Sequence, residues 1–157
     1  MSLAPFGVHD RNTELVQLVI DANVIVQLTL SGADLGGLAR HDLIAPPIMA
    51  SEVTSTLCEM THRGEIPPEA ARMAVADFAR LPIHVERPEG FFERAWDLAR
   101  QLGWAKSYDA EYVALALMTG SPLVTLDARM RRGAGHLVEM PLITTLLTPV
   151  QGDLGPA

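Results

Sequence analysis

The chain has 157 residues, 48% hydrophobic and 20% charged, which is long and apolar enough to bury one core. Its formal net charge of −7 excludes a domain that binds nucleic acid through overall positive charge, so a polyanion would need a local basic patch or a bound cation. No apolar run approaches the ~18 residues of a membrane helix. The single cysteine, Cys58, fits a reducing compartment, so we expect a cytoplasmic protein without a membrane segment.

Short apolar runs rich in β-branched residues alternate with stretches of helical spacing along the chain. The runs that predict strands lie at 15–20, 43–45, 83–86 and 123–126, and the stretch at 136–139 is the candidate for a fifth strand. The stretches that predict helices lie at 22–30, 48–63, 67–81, 89–102, 108–119 and 128–132. In the helix at 89–102, the expected apolar stripe consists of Phe92, Ala95, Trp96 and Ala99.

This alternation predicts an α/β fold whose central parallel sheet has four to five strands and is covered by helices on both faces. We expect one domain at residues 15–148, preceded by an N-terminal arm at 1–14 and followed by a flexible tail at 149–157. The sequence shows no internal repeat and no linker long enough to divide that domain.

Four acidic residues stand where a parallel sheet would bring them together. Asp21 and Asp127 each directly follow the last apolar residues of a predicted strand, and the carboxyl ends of parallel strands share one edge of the sheet. Glu52 and Asp109 lie near the starts of predicted helices that begin at the same edge. A structural interpretation is also open for each acid, because Asp often caps a helix and acids favour the positive end of a helix dipole.

The small or apolar neighbours of these acids favour a shared site over separate caps. Four like charges in one pocket repel each other unless a cation neutralises them. Hard carboxylate oxygens suit Mg²⁺ or Mn²⁺, and a centre of that kind activates water for the hydrolysis of a phosphodiester bond.

Four motifs surround the four acids. They are Val-Ile-Asp-Ala-Asn at 19–23, Ala-Pro-Pro at 45–47 with Ser-Glu-Val at 51–53, Tyr-Asp-Ala-Glu-Tyr-Val-Ala-Leu-Ala at 108–116, and Pro-Leu-Val-Thr-Leu-Asp at 122–127. In this order they resemble the motifs of PIN-domain nucleases, and within that family the VapC-like toxins of type II toxin–antitoxin systems. The resemblance covers about residues 15–142.

The resemblance implies a three-layer α/β/α sandwich and a metal-dependent endoribonuclease that acts as a toxin. It implies that the catalytic, metal-binding acids are Asp21, Glu52, Asp109 and Asp127. It places Asn23 and Thr125 at positions where the family often carries a polar residue that supports the site. It also implies Mg²⁺ or Mn²⁺ as cofactor, RNA as substrate, a small antitoxin as partner, and a homodimer.

Other interpretations stay open on the residues alone. Arg129, Arg131 and Arg132 contact RNA phosphates or simply form a solvated helix face. The chain is alternatively a non-catalytic PIN-like module that binds partners, or another acid-rimmed α/β phosphohydrolase. A haloacid-dehalogenase-type phosphatase would need a second Asp where Asn23 stands, and a receiver domain would need a lysine after its last strands, whereas the only lysine is Lys106.

Overall fold

The computed structural model describes residues 16–147, and a sheet of four parallel strands lies at the centre of this part of the chain. The strands are β1 at Gln17–Ile20, β2 at Asp42–Ala45, β3 at Ile83–Val85 and β4 at Leu123–Val124. They pair in the order β3-β2-β1-β4. In the two central strands, Val19, Ile20 and Ile44 are fully buried, as expected for parallel strands that are covered on both faces.

The helices fall into two groups that pack within themselves. They are α1 at Ala22–Ser31, α2 at Met49–His62, α3 at Pro68–Phe78, α4 at Phe91–Gln101, α5 at Tyr108–Thr119, α6 at Ala128–Ala134 and α7 at Thr144–Leu147. A 3-10 helix spans Leu35–Arg40. Helix α1 packs against α2 and α3, and α4 packs against α5. Right-handed crossovers place these groups on opposite faces of the sheet, which gives the predicted three-layer α/β/α architecture.

The reversal of strand order creates a crevice at one edge of the sheet. β2 and β3 extend the sheet on one side of β1, whereas β4 returns to its other side. The connections that leave β1 and β4 therefore diverge to opposite faces. Ligands of open α/β folds bind at such a switch point, outside the carboxyl ends of the strands.

The predicted fifth strand at 136–139 is wrong. The chain makes a turn after α6, in which the Leu137 and Val138 N–H groups both donate to the Ala134 carbonyl. One backbone hydrogen bond of 2.9 Å, from Leu123 N–H to the Glu139 carbonyl, remains beside β4. Because these N–H groups are bonded within the turn, they cannot pair with β4, and the sheet in the described part of the chain ends at β4.

The predicted arm at 1–14 and the predicted tail at 149–157 lie outside the described residues. Between residues 16 and 147, every helix is too short or too polar to cross a membrane.

Candidate active site

A cleft of about 760 Å³ opens at the carboxyl ends of β1 and β4. The four predicted acids all line it: Asp21, Glu52, Asp109 and Asp127. Side chains of α1 and α2 form much of the remaining wall. The first and last of these acids, Asp21 and Asp127, are more than 100 residues apart in the sequence. The fold brings the four together because two follow strand ends and two lie in first helical turns at the same edge of the sheet.

Asp21 is the most buried of the four acids, with 5% of its surface exposed. It occupies the N-cap position of α1 but makes no side-chain cap bond; instead its Oδ2 accepts a hydrogen bond of 2.6 Å from the Thr125 hydroxyl. Burial raises the pKa of Asp21 to about 7, with a further upward effect from the charges of Glu52 and Asp109 that the Thr125 bond partly offsets. A bound cation would reverse this, since positive charge favours the ionised form.

Thr125 and Asn23, the two predicted supporting residues, join Asp21 to the loop after β4. Thr125 is fully buried, and its hydroxyl oxygen accepts the Asp127 backbone N–H at 3.0 Å. The Asn23 side chain donates to the Thr125 hydroxyl at 3.5 Å and accepts the Leu126 N–H at 3.2 Å. These bonds fix the position of Asp21 relative to Asp127.

Glu52 is held by a residue that the sequence did not single out. Oε2 of Glu52 accepts a hydrogen bond of 2.6 Å from the hydroxyl of Tyr112, a fully buried residue of α5. Burial raises the pKa of Glu52, the Tyr112 bond lowers it, and the charge of Asp109 raises it again. The bond therefore fixes the carboxylate and favours its charged form against the effect of burial.

Asp109 carries an internal counter-ion. Its Oδ2 pairs with the guanidinium of Arg129, which projects from α6 and is 68% exposed. Burial raises the pKa of Asp109, the charge of Arg129 lowers it, and the charge of Asp127 raises it. Arg129 therefore neutralises part of the negative charge at this end of the cleft.

Asp127 is both a helix cap and a residue of the cleft. Its Oδ1 caps α6 by accepting the Arg129 and Met130 backbone N–H groups at 2.7 and 3.1 Å. It also lines the cleft with the other three acids. A carboxylate has lone pairs beyond those used by two N–H donors, so capping leaves it able to act at the site.

The three arginines of α6 differ in what they contact. Arg131 donates to the carbonyl groups of Thr125, Met140 and Pro141 at 3.1, 2.8 and 2.8 Å. These bonds hold the chain after α6 against the loop after β4. Arg132 is exposed, and Arg129 pairs with Asp109 at the end of the cleft. Arg131 is therefore tied to protein carbonyls, whereas the other two point charge towards solvent or the site.

Sequence reasoning missed two residues of α5, Glu111 and Tyr112. Glu111 lies in the motif at 108–116 but is not among the four acids singled out from the sequence; it is only 8% exposed, and its pKa is raised by burial and by the charge of Glu52. The signal was its place between Ala110 and Tyr112 in a helix whose middle is apolar on all sides. Tyr112 carried no signal of its own, because its partner lies 60 residues away.

The chemistry of the donor set fits a hard divalent cation. The four side chains offer carboxylate oxygens, which Mg²⁺ and Mn²⁺ prefer. Between residues 16 and 147, however, no three Asp, Glu, His or Cys side chains are already placed to hold one ion together. The carboxylates of Asp21, Glu52 and Asp109 are each turned to a protein donor. Release of Arg129 from Asp109 is the change that frees a carboxylate most directly, because Arg129 is largely exposed.

Comparisons of the sequence and of the structure with known proteins point to the same family. Residues 18–135 match the PIN domain. The ribonuclease VapC9 of Mycobacterium tuberculosis strain H37Rv is 32% identical over 114 residues, which cover 72% of this chain and 87% of that protein. The solved structure of PAE2754 from Pyrobaculum aerophilum is 19% identical with a TM-score of 0.66, over 89% of this chain and 92% of that one. VapBC2 from Rickettsia felis, solved with a DNA fragment from its promoter, is 14% identical with a TM-score of 0.58, over 81% and 98% of the two chains. The chain therefore belongs to the PIN-domain family and is a VapC-like member of it.

Proposed function

We propose that this chain is a Mg²⁺- or Mn²⁺-dependent endoribonuclease and the toxin of a type II toxin–antitoxin pair. The observation that carries the proposal is the convergence of four carboxylates on one cleft, in a chain similar to a ribonuclease over most of its length. A divalent ion, when bound, supplies the positive charge that stabilises a phosphodiester transition state and activates water. The ligands in this proposal are Asp21, Glu52, Asp109 and Asp127.

The supporting residues have separate roles in this proposal. Thr125, with Asn23 behind it, positions the Asp21 carboxylate, and Tyr112 positions that of Glu52. Asp127 holds the start of α6, which carries Arg129 to the Asp109 carboxylate. Each acid is thus fixed by a neutral or backbone donor except Asp109, whose partner is a cation that substrate phosphate can attract away.

We assign phosphate contacts to Arg129 and Arg132 and leave Arg131 to its structural bonds. Guanidinium groups bind phosphate oxygens in a bidentate manner, and both assigned side chains are exposed. Because the whole chain carries a net charge of −7, these local cations and the metal would supply most of the attraction for RNA. We therefore expect RNA binding of modest affinity, with a shallow dependence on salt because few phosphates are neutralised.

We further propose a small protein antitoxin as partner, a homodimer, and action in the cytoplasm. The structural neighbour VapBC2 is a complex of the kind that such a pair forms. One acid of the cleft, Asp109, already pairs with a guanidinium, that of Arg129, so an arginine of a partner can be bound by the other carboxylates through the same chemistry. Cys58 is exposed and unpaired, as is common in reducing compartments.

The test is RNA cleavage by the parent and by variants that neutralise one acid at a time. Asp21→Asn, Glu52→Gln, Asp109→Asn and Asp127→Asn should each lose at least about a hundredfold in rate, with the fold retained. Asp97→Asn removes an exposed acid of α4 and serves as the matched control. Excess EDTA should abolish cleavage, and Mg²⁺ or Mn²⁺ should restore it. Undiminished cleavage in EDTA, or by the Asp21 variant, would overturn the proposed centre.

The toxin role needs a separate experiment in cells. Induction of the parent chain should arrest growth, and induction of the Asp21→Asn variant to the same level should not. Co-expression of the small protein encoded beside this gene should relieve the arrest. Normal growth with an active, well-expressed parent would contradict the toxin role while leaving the nuclease proposal standing.

A further inference from the structure

A second cavity, of about 360 Å³, adjoins the acid cleft and shares Glu52 and Asp109 with it. Its remaining wall carries two aromatic rings, Trp104 and Tyr108, and two cations, Lys106 and Arg129. We call this cavity the side pocket. Its volume lies near the lower end of the range for small-ligand sites, about 300 to 1,000 Å³, which suits one nucleotide better than two.

Trp104 forms a fixed wall of the side pocket. Its backbone N–H donates to the Ala99 carbonyl at 2.8 Å, which ties the residue to the end of α4. Its ring packs against α6 at Gly133, where an added Cβ would lie 3.1 Å from ring atom Cζ2. The indole is therefore held in place before any ligand arrives, which lowers the entropy that binding would lose.

Tyr108 and Lys106 form the exposed part of the wall. Tyr108 is 48% exposed, and Lys106 Nζ lies 5.8 Å from the centroid of its ring. Arg129 closes the pocket on the side of the acids, where it pairs with Asp109. In a chain with a net charge of −7, the only lysine and the arginine that reaches the acids thus border one small cavity.

This combination matches the chemistry of a nucleotide. Aromatic rings stack on nucleobases of any sequence, and nearby cations neutralise the phosphate. We propose that the side pocket binds one nucleotide of the RNA strand next to the cleaved bond, with its base against the wall that Trp104 and Tyr108 form and its phosphate near Lys106 and Arg129. The inference deepens the proposed ribonuclease function and rests on it for the identity of the ligand.

Tryptophan fluorescence can report on the side pocket, because the chain contains only two tryptophans, Trp96 and Trp104. The Trp96→Phe variant leaves Trp104 as the sole indole. Nucleoside 5′-monophosphates should quench its fluorescence in a saturable manner, whereas ribose 5-phosphate should not, because it has no base. The matched control is Trp104→Phe, which leaves Trp96, an exposed residue that lines neither cavity. Its fluorescence should show no saturable response.

Variants of the exposed wall test the same site without a tryptophan. Tyr108→Ala should raise the dissociation constant for the nucleotide and the KM for RNA about tenfold, with kcat little changed, whereas Tyr108→Phe should retain both values. Lys106→Gln should lower the slope of log affinity against log salt by about one. Far-UV circular dichroism establishes that each variant is folded.

The outcomes separate this inference from the function on which it rests. Saturable quenching by nucleotides alone, lost with Trp104 and weakened by Tyr108→Ala, supports the side pocket even if the chain cleaves no RNA. Absent quenching, or equal quenching by ribose 5-phosphate, overturns the side pocket even if RNA is cleaved at full rate. Unchanged KM in both Tyr108→Ala and Lys106→Gln would overturn it as well.

Discussion

The Tyr112 hydroxyl donates a hydrogen bond of 2.6 Å to Oε2 of Glu52 and so joins α5 to α2 behind the acid cleft. Burial and the negative charge of Glu52 both raise the pKa of Tyr112, so the hydroxyl keeps its proton and remains a donor at neutral pH. Because the bond stabilises the charged carboxylate, it lowers the pKa of Glu52 against the larger upward effect of burial. Tyr112 is therefore a positioning residue that acts through Glu52.

Tyr112→Phe should lower activity and shift its pH dependence. The variant keeps the ring but removes the donor, so the pKa of Glu52 should rise further above its ordinary value of 4.5. Activity that needs the ionised carboxylate should then be lost at a higher pH on the acid side. We expect kcat to fall about tenfold at neutral pH, as for other partners of metal ligands. A pH–rate profile of parent and variant measures both effects.

A double-mutant cycle separates positioning from general damage to the fold. In the Glu52→Gln background, Tyr112→Phe should have little additional effect on rate, because the carboxylate it serves is already gone. If the loss in the double variant equals the sum of the two single losses, Tyr112 only fills space. The same follows if the acid limb of the pH–rate profile does not move in Tyr112→Phe.

Arg129→Gln should raise the affinity for a divalent metal ion and lower the affinity for RNA. Removal of the guanidinium leaves Asp109 without its cation, so a divalent ion should bind several-fold more tightly, as titration calorimetry can measure. The same change removes a phosphate contact and should raise the KM for RNA. Arg132→Gln is the matched control, since it removes an exposed charge of α6 that forms no ion pair in the described part of the chain and should raise KM alone. Equal metal affinity in both variants would contradict the role of Arg129 as internal counter-ion.

The convergence of the acids was predictable because it depends on chain order and one rule of topology. A buried strand followed at once by Asp21 or Asp127 places each acid at the carboxyl edge, whatever the details of packing. The same holds for the helix starts that carry Glu52 and Asp109. Helix ends were predictable where a single residue determines them, as at Gly120, which follows the helix predicted at 108–119 and adopts a φ of 68°.

Features that depend on side-chain packing were not predictable. The stripe expected on α4 included Phe92 and Trp96, yet both are exposed, and the buried positions include Phe91 and Leu98. Both choices have helical spacing with Ala95 and Ala99, so periodicity alone does not decide between them. The partner of Tyr112, 60 residues away, likewise becomes visible only after folding.

Arg131→Lys should destabilise the protein although it keeps the charge. The guanidinium donates to three carbonyl groups in a fork that a single ammonium group cannot reproduce. We expect a loss of about 2 kcal/mol in the free energy of unfolding, measured by chemical denaturation. Arg132→Lys, at an exposed neighbouring position, should change it by less than about 0.5 kcal/mol. Equal stabilities would show that these three hydrogen bonds contribute nothing net.

Asp21→Asn should stabilise the metal-free protein, and the gain should depend on pH. The folded-state pKa of Asp21, about 7, lies above the ordinary value of 3.8, so the native state binds more protons than the unfolded state between these values. The stability of the parent therefore falls as pH rises through this interval. The variant carries no titrating group there, and Asn still accepts the Thr125 hydrogen bond. In EDTA the variant should gain up to roughly 4 kcal/mol over the parent at pH 8, and almost nothing near pH 4.

Asp127→Asn provides the contrast, because Asp127 caps α6 through two backbone N–H groups and Asn caps about as well as Asp. Its stability should differ from that of the parent by less than about 1 kcal/mol at either pH. Addition of Mg²⁺ should raise the melting temperature of the parent at pH 8 more than that of Asp21→Asn, because an ion that binds only the folded state stabilises it. A destabilised Asp21→Asn variant in EDTA, together with no shift of the parent by metal, would mean that Asp21 serves the fold alone.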